Sequence, residues 1–162
     1  MAKKGGRSLF SLTTVFASFF GAAMIAGAFA YYNYKFSEFK FINFKEFVFY
    51  EQSAIFTPTA DRYIVVFYSS KKPNTQQLLQ NIKLPYPVLA IDYYNSVAKN
   101  SKNTTFLRTG TTTSLLFIQR FNIYHEPSIF FIKKTKDTLY KQDSMIHKLN
   151  SIQELQHSID KL

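Results

Sequence analysis

Arg120-Phe-Asn-Ile-Tyr-His-Glu-Pro-Ser-Ile-Phe-Phe-Ile-Lys133 is the stretch on which the reading of the fold turns. Upstream of its proline, Leu115–Phe121 reads as a helix. Downstream, Ile129-Phe-Phe-Ile132 is an unbroken β-branched and aromatic run, which reads as a strand. Pro127 separates the two patterns, and His125 and Glu126 lie beside it.

Working outward, Lys133–Asp137 reads as a turn and Thr138–Gln142 as a hairpin strand pairing back. Ser151 followed three residues later by Glu154 predicts a capping box. It would open a terminal helix to Leu162 with Ile152, Leu155, Ile159 and Leu162 on one face. Toward the N-terminus, residues 95–114 are polar and predict a long surface loop, in which Asn103-Thr104-Thr105 matches a glycosylation sequon. Val88–Ile91, closed by Asp92, and Tyr63–Tyr68 read as strands buried on both faces. Between them Ser69–Asn74 predicts a turn, and Thr75–Ile82 a short helix with Leu78, Leu79 and Ile82 inward. A β-α-β unit of this kind implies parallel pairing of its two strands.

The order strand, helix, strand, helix, proline-strand, hairpin, terminal helix resembles the thioredoxin fold over about residues 61–162. Ile64–Ser69 looks like the central strand and Leu89–Asp92 the next one; Arg120–Lys133 looks like that family's helix end, loop, cis-proline and following strand. The resemblance implies an α/β, thioredoxin-like domain with a central mixed sheet and a cis Glu126–Pro127 peptide. It also implies a pair of cysteines after the central strand, and there the chain departs: the turn reads Ser69-Ser-Lys-Lys-Pro-Asn-Thr75.

The chain of 162 residues contains no cysteine at all, which excludes dithiol redox chemistry, disulfides and thiolate metal sites. Four of the five glycines precede residue 28, so no glycine-rich phosphate loop can be built. Apolar residues make up 46% of the chain, enough for one packed domain. Net charge is +10, but the basic residues are interspersed, mostly lysines, and read as a solvated surface, with no nucleic-acid partner expected.

No charged residue occurs from Ser8 to Asn33. The 22 residues from Leu9 to Ala30 would make a helix of roughly 33 Å, enough to cross a hydrocarbon core of about 30 Å. Lys3, Lys4 and Arg7 precede it, which predicts a single-pass anchor in the inner membrane. Residues 1–8 would be cytoplasmic, residues 9–31 membrane-spanning, and everything beyond periplasmic. The competing reading is a signal peptide cleaved after Ala28-Phe29-Ala30, but the apolar stretch exceeds the usual length for one. Ser18, Ala22, Ala23, Ala26, Gly27 and Ala30 form a small-residue ridge suited to contact with another membrane helix.

Residues 32–60 are set apart as a phenylalanine-rich juxtamembrane segment. Phe36, Phe39, Phe41, Phe44, Phe47 and Phe49 follow neither a helical nor a strand period throughout. So much apolar surface is expected to be buried against a partner or the domain itself, with the membrane surface as the remaining choice. The resemblance also implies that Lys71, Lys72 and Pro73 share with His125, Glu126 and Pro127 the edge that holds chemistry in active relatives, and that edge is expected here to be a contact surface. A Ser–His–acid set from Ser69, Ser70, His125 and Glu126 has nothing to fix its geometry, and His147 and His157 lack metal-ligand spacing. The expectation is therefore a non-enzymatic, cofactor-free envelope protein, with no small-molecule substrate and other envelope proteins in a multi-subunit assembly as its partners. A scaffold in a bacterial envelope machine is favoured, the flagellar motor ahead of a secretion system. The alternative is a redox-inactive thioredoxin-like accessory factor or chaperone.

Overall fold

The computed structural model describes residues 11–38, 40–155 and 159, in two compact units, Met1–Glu38 and Phe39–Leu162. The first holds α1 (Leu12–Glu38), seven residues longer at its C-terminal end than the predicted span. Its segment Leu12–Tyr34 is long and apolar enough to cross a membrane, as an anchor or a signal sequence would be. Its apolar side chains are exposed within the first unit: Leu12, Phe19 and Met24 are all about three-quarters exposed. Ser18 Oγ donates to the Thr14 carbonyl at 2.9 Å, which satisfies the one hydroxyl of the small-residue ridge within the helix. A Cβ added at Gly27 would meet nothing within 4 Å, so that ridge is open along its length. The proposed cytoplasmic residues 1–8 and Phe39 lie outside the described residues, as does the side chain of Phe36.

In the second unit β1 (Phe41–Asn43), β2 (Tyr50–Glu51) and β3 (Ala54–Ile55) come first, followed by β4 (Arg62–Tyr68), α2 (Thr75–Asn81) and β5 (Val88–Asp92). Then come β6 (Thr104–Arg108), α3 (Thr111–Phe121), β7 (Ser128–Lys136), β8 (Leu139–Gln142) and β9 (His147–Lys148). They form one sheet in the order β1-β8-β7-β4-β5-β6-β2-β3, with β9 on β7. The centre is as expected. β4 and β5 pair in parallel around α2, β7 runs antiparallel to β4 after a cis Glu126–Pro127 peptide, and β8 returns as a hairpin. This is a thioredoxin-like mixed sheet.

Four expectations are corrected. The polar stretch 95–114 is not one loop, because Thr104–Arg108 pairs in parallel with β5 and buries Phe106 and Leu107, and α3 already begins at Thr111. Lys133–Lys136 continues β7; the turn comes at Asp137, in the left-handed region. The capping box does not form. Ser151 makes no side-chain cap to the short 3-10 turn Ile152–Glu154, and the Glu154 carboxylate accepts instead from the backbone and side-chain amides of Asn150. Residues 156–158 and 160–162 of the expected terminal helix lie outside the described residues. Finally, residues 41–55 belong to the folded unit, so its boundary falls at 38/39 and not at 60/61.

That last correction settles most of the phenylalanines. Phe44, Phe47 and Phe49 are buried in the core with Ile42, and Phe41 is half-buried, so none of the first three offers a surface to a partner. Their irregular spacing has a geometric origin. Asn43 ends β1 at one edge of the sheet and Tyr50 starts β2 toward the other. Seven residues reach at most about 25 Å, whereas the six strand spacings between them would measure roughly 29 Å on a flat sheet. The sheet must curl, and residues 44–49 cross its concave face as a strap. Phe44 packs on Tyr140 of β8 with ring centres 5.5 Å apart, and Phe49 packs on Phe117 of α3 at 5.7 Å. The Arg120 guanidinium lies 4.8 Å over Phe47 and donates to the Phe41 carbonyl at 3.2 Å, tying α3 to the strap. The opposite face of the sheet is covered by α2 through Leu79 and by Leu149, Ile152 and Leu155.

With a single glycine after residue 27, the left-handed positions fall to other residues. Gln52, Asn74, Asn95, Asn122 and Asp137 hold positive φ, mostly the amide and acid side chains that tolerate it best.

Tyr140 offers a test of the strap face. Its ring is fully buried and its hydroxyl donates to the Ala60 carbonyl at 2.6 Å. Burial pushes its ionisation up to about 12 from 10.0, with Tyr63 and Asp61 adding to the shift. Because the fold favours the protonated phenol, the stability it lends is intact below pH 10 and falls as the pH rises from 10 toward 12. Tyr68 moves in the same direction, through burial first and then the charge of Asp92. Tyr140→Phe is expected to cost about 1 kcal/mol at neutral pH. It should also flatten the alkaline loss, read by near-UV circular dichroism in denaturant at pH 8 to 12.

Candidate functional site

The sheet brings the two expected contact segments together at the C-terminal end of β4. Ser69 is buried at the strand end, and its Oγ accepts from the Lys71 amide at 3.3 Å. From there the turn projects Lys71, Lys72 and Pro73 into solvent before Thr75 enters α2. On the facing side, Asn122 ends α3 in the left-handed conformation, and residues 123–127 run down to β7. Pro127 is buried and its carbonyl accepts from the Leu149 amide at 2.9 Å; Glu126 is half-buried and His125 exposed. Lys72 Nζ donates to the Glu126 carbonyl at 2.7 Å, a bridge between residues 54 apart in sequence. The turn and the proline loop thus form one continuous edge, the placement that the resemblance to the thioredoxin fold implied.

Among the described residues no hydrogen bond joins the side chains of Ser69, Ser70, His125 and Glu126 to one another. Ser69 Oγ is engaged with the turn, Ser70 presents its amide to Asp92, and His125 gives its carbonyl to the Ser128 hydroxyl. Among the described residues no group of three or more histidines or acids could hold a metal ion. The sequon asparagine is committed too, since Asn103 Nδ2 donates to the Leu84 carbonyl at 3.1 Å.

Sequence reasoning passed over four residues of this edge. Asp92 is 1% exposed, and its two oxygens accept from the Ser70 amide at 2.8 Å and the Ser96 amide at 2.7 Å. One carboxylate therefore clamps the turn after β4 to the turn after β5. Tyr93 and Tyr94 follow it, both about half exposed, with ring centres 4.9 Å apart and nearly perpendicular. Tyr124, on the proline loop, is 78% exposed. Between these tyrosines, Ile118 and Ile123 lies a groove of about 260 Å³, with Phe67, His125 and Glu126 also in its lining. The available signal was the Asp-Tyr-Tyr sequence directly after a buried strand, where an exposed aromatic pair has no core to join.

The edge carries three engaged charges and one that is not. Lys71 Nζ sits 4.0 Å over the Tyr94 ring, Lys72 is held by the Glu126 carbonyl, and Asp92 is saturated by amides. Glu126 Oε2 is shielded from water and has no hydrogen-bond partner.

No protein-family model matches the chain, and a search of curated proteins found no match. Similar solved structures include an exposed lipoprotein thioredoxin of Streptococcus pneumoniae, 15% identical, over 63% of this chain and 85% of that one, with a TM-score of 0.38. A thioredoxin-like protein of Aeropyrum pernix is 14% identical over 87% of this chain and 99% of that one, with a TM-score of 0.43. The likeness is one of fold: the chain's own strand order, parallel centre and cis-proline strand are thioredoxin-like, while the turn after β4 carries no cysteine.

Proposed function

We propose that this chain is a membrane-anchored, non-catalytic interaction module whose thioredoxin-like domain binds other proteins through the edge formed by the turn after β4 and the proline loop. The observation that carries the reading is Ser69–Asn74 itself. Where a dithiol is expected from the fold, the chain has serines and lysines that are bonded into the scaffold: Ser69 to its own turn, Ser70 to Asp92, Lys72 to the proline loop. A domain so built contributes position and surface. In a bacterial cell the anchor would lie in the inner membrane, N-terminus inside, with the domain periplasmic and the small-residue ridge of α1 available to another membrane helix. An envelope machine is the assembly to test first, the flagellar motor ahead of a secretion system, since both use membrane-tethered parts in fixed numbers.

The test is photo-cross-linking of the full chain in its native cells from Tyr124 and, separately, from an exposed residue away from the edge such as Lys136. Adducts from Tyr124 to defined envelope proteins, which also co-purify in fixed stoichiometry, are expected. Recovery of lipid alone, or of many unfolded clients without stoichiometry, would replace the scaffold with a lipid-bound or chaperone role.

A further inference from the structure

We propose that the groove beside the proline loop receives an arginine side chain from an extended segment of the partner protein, with Glu126 as its counter-charge and the tyrosines as its walls. The inference rests on the interaction-module reading above and names the chemistry that the edge selects.

Size is the first constraint. At about 260 Å³ the groove falls below the roughly 300–1,000 Å³ of sites that enclose a whole small molecule. It suits a single side chain entering from a chain that stays outside. Its walls are the second. Tyr93, Tyr94 and Tyr124 present exposed rings, and aromatic faces attract cations, planar guanidinium groups most of all because they also stack. The chain demonstrates this on itself, since the Lys71 ammonium rests 4.0 Å from the Tyr94 centroid. Ile118 and Ile123 supply apolar contact for the methylene stem that an arginine buries while its head stays polar.

The carboxylate is the third and decides the sign of the guest. Glu126 Oε2 is a shielded acceptor without a donor, a costly arrangement that an incoming N–H group relieves. The oxygen is covered in the free structure, so the donor reaches the carboxylate after the Glu126 side chain changes rotamer, since turning the carboxylate alone only exchanges its two oxygens. An anionic guest would leave that oxygen unpaired and add repulsion. The two nearby ammonium groups are engaged: Lys72 is held by the Glu126 carbonyl, and Lys71 rests on a face of the Tyr94 ring. Lys71 still repels a second cation on that ring, so removing its charge should favour the guest. No other acidic side-chain oxygen among the described residues is both shielded and unpartnered.

The test uses the full chain in detergent micelles and three fluorescent pentapeptides, Gly-Leu-X-Leu-Gly, with X as arginine, its uncharged isostere citrulline, or glutamate. Arginine is expected to bind at least about tenfold more tightly than citrulline, and glutamate not measurably. Glu126→Gln should remove the arginine preference, Tyr94→Ala should weaken binding about fivefold, and Lys71→Gln should tighten it. Equal binding of arginine and citrulline, or a preference for glutamate that Lys71→Gln abolishes, would overturn the proposal. Because the citrulline comparison changes the peptide, it stands even where a protein variant folds poorly. The outcome is separable from the function above: loss of arginine preference with cross-links intact removes only the guest chemistry, and arginine binding without a stoichiometric partner removes only the scaffold.

Discussion

Phe49→Ala is expected to destabilise the thioredoxin-like domain by about 3–5 kcal/mol, the range for emptying a buried phenylalanine site. Phe49 has no exposed surface. It stacks edge-on against Phe117 at 5.7 Å and lies 5.8 Å from Phe44, so its removal opens a void between the strap and α3. The neighbouring backbone has little freedom to collapse into it. The Phe49 carbonyl accepts from the Phe56 amide at 2.8 Å, and the adjoining Val48 carbonyl accepts from Thr109 Oγ1 at 2.7 Å. Chemical denaturation followed by near-UV circular dichroism reads the loss without interference from α1, because the signal comes from packed aromatic rings. A change below about 1 kcal/mol would mean that the strap is not part of the core and would return the phenylalanines to the role of a partner surface. Lys45→Ala, in the same strap but exposed, should change stability by less than about 0.5 kcal/mol and serves as the control.

Asp92→Ala is expected to cost about 2–4 kcal/mol and, unlike Phe49→Ala, to disturb locally the edge formed by the turns after β4 and β5. The side chain satisfies two backbone amides, and a hydrogen bond to a charged group is worth about 1.5–3 kcal/mol, with a further cost for each buried donor left empty. Asp92→Asn keeps one acceptor oxygen and should lose roughly half as much. Amide hydrogen exchange separates this from general destabilisation. Ser70 and Ser96 should lose protection first, ahead of the central β4 and β5 amides, because the clamp holds the two turns and not the sheet. Uniform loss of protection across β4, β5 and both turns would contradict a local clamp.

What was legible before the structure was whatever the chain encodes locally. Tyr63–Tyr68, Val88–Asp92 and Ile129–Ile132 are strong strands in isolation, and Leu115–Phe121 is helical over its own length, so the parallel centre and the proline strand followed from pattern alone. β6 was hidden because just Phe106 and Leu107 are apolar, flanked by threonines and Arg108; its strand state comes from the β5 neighbour it pairs with. β1 to β3 were hidden for the same reason in stronger form. They have two or three residues each and take their conformation from β8 and β6. The edge was half legible: its two segments could be placed, but the groove depends on tyrosines that meet the proline loop through space, and on a carboxylate whose lack of a partner no spacing rule reports.

The strap also has a consequence for how the protein is made. Residues 41–55 leave the ribosome before any of the strands they join. Asn43 accepts a hydrogen bond from Thr138, 95 positions later, and Thr109 reaches back 61 positions to Val48. Four phenylalanines, Phe41 to Phe49, therefore wait for their core partners until nearly the whole domain has been synthesised. The part of the domain translated first is the one whose packing partners are translated last, and during that interval its aromatic rings are exposed apolar surface.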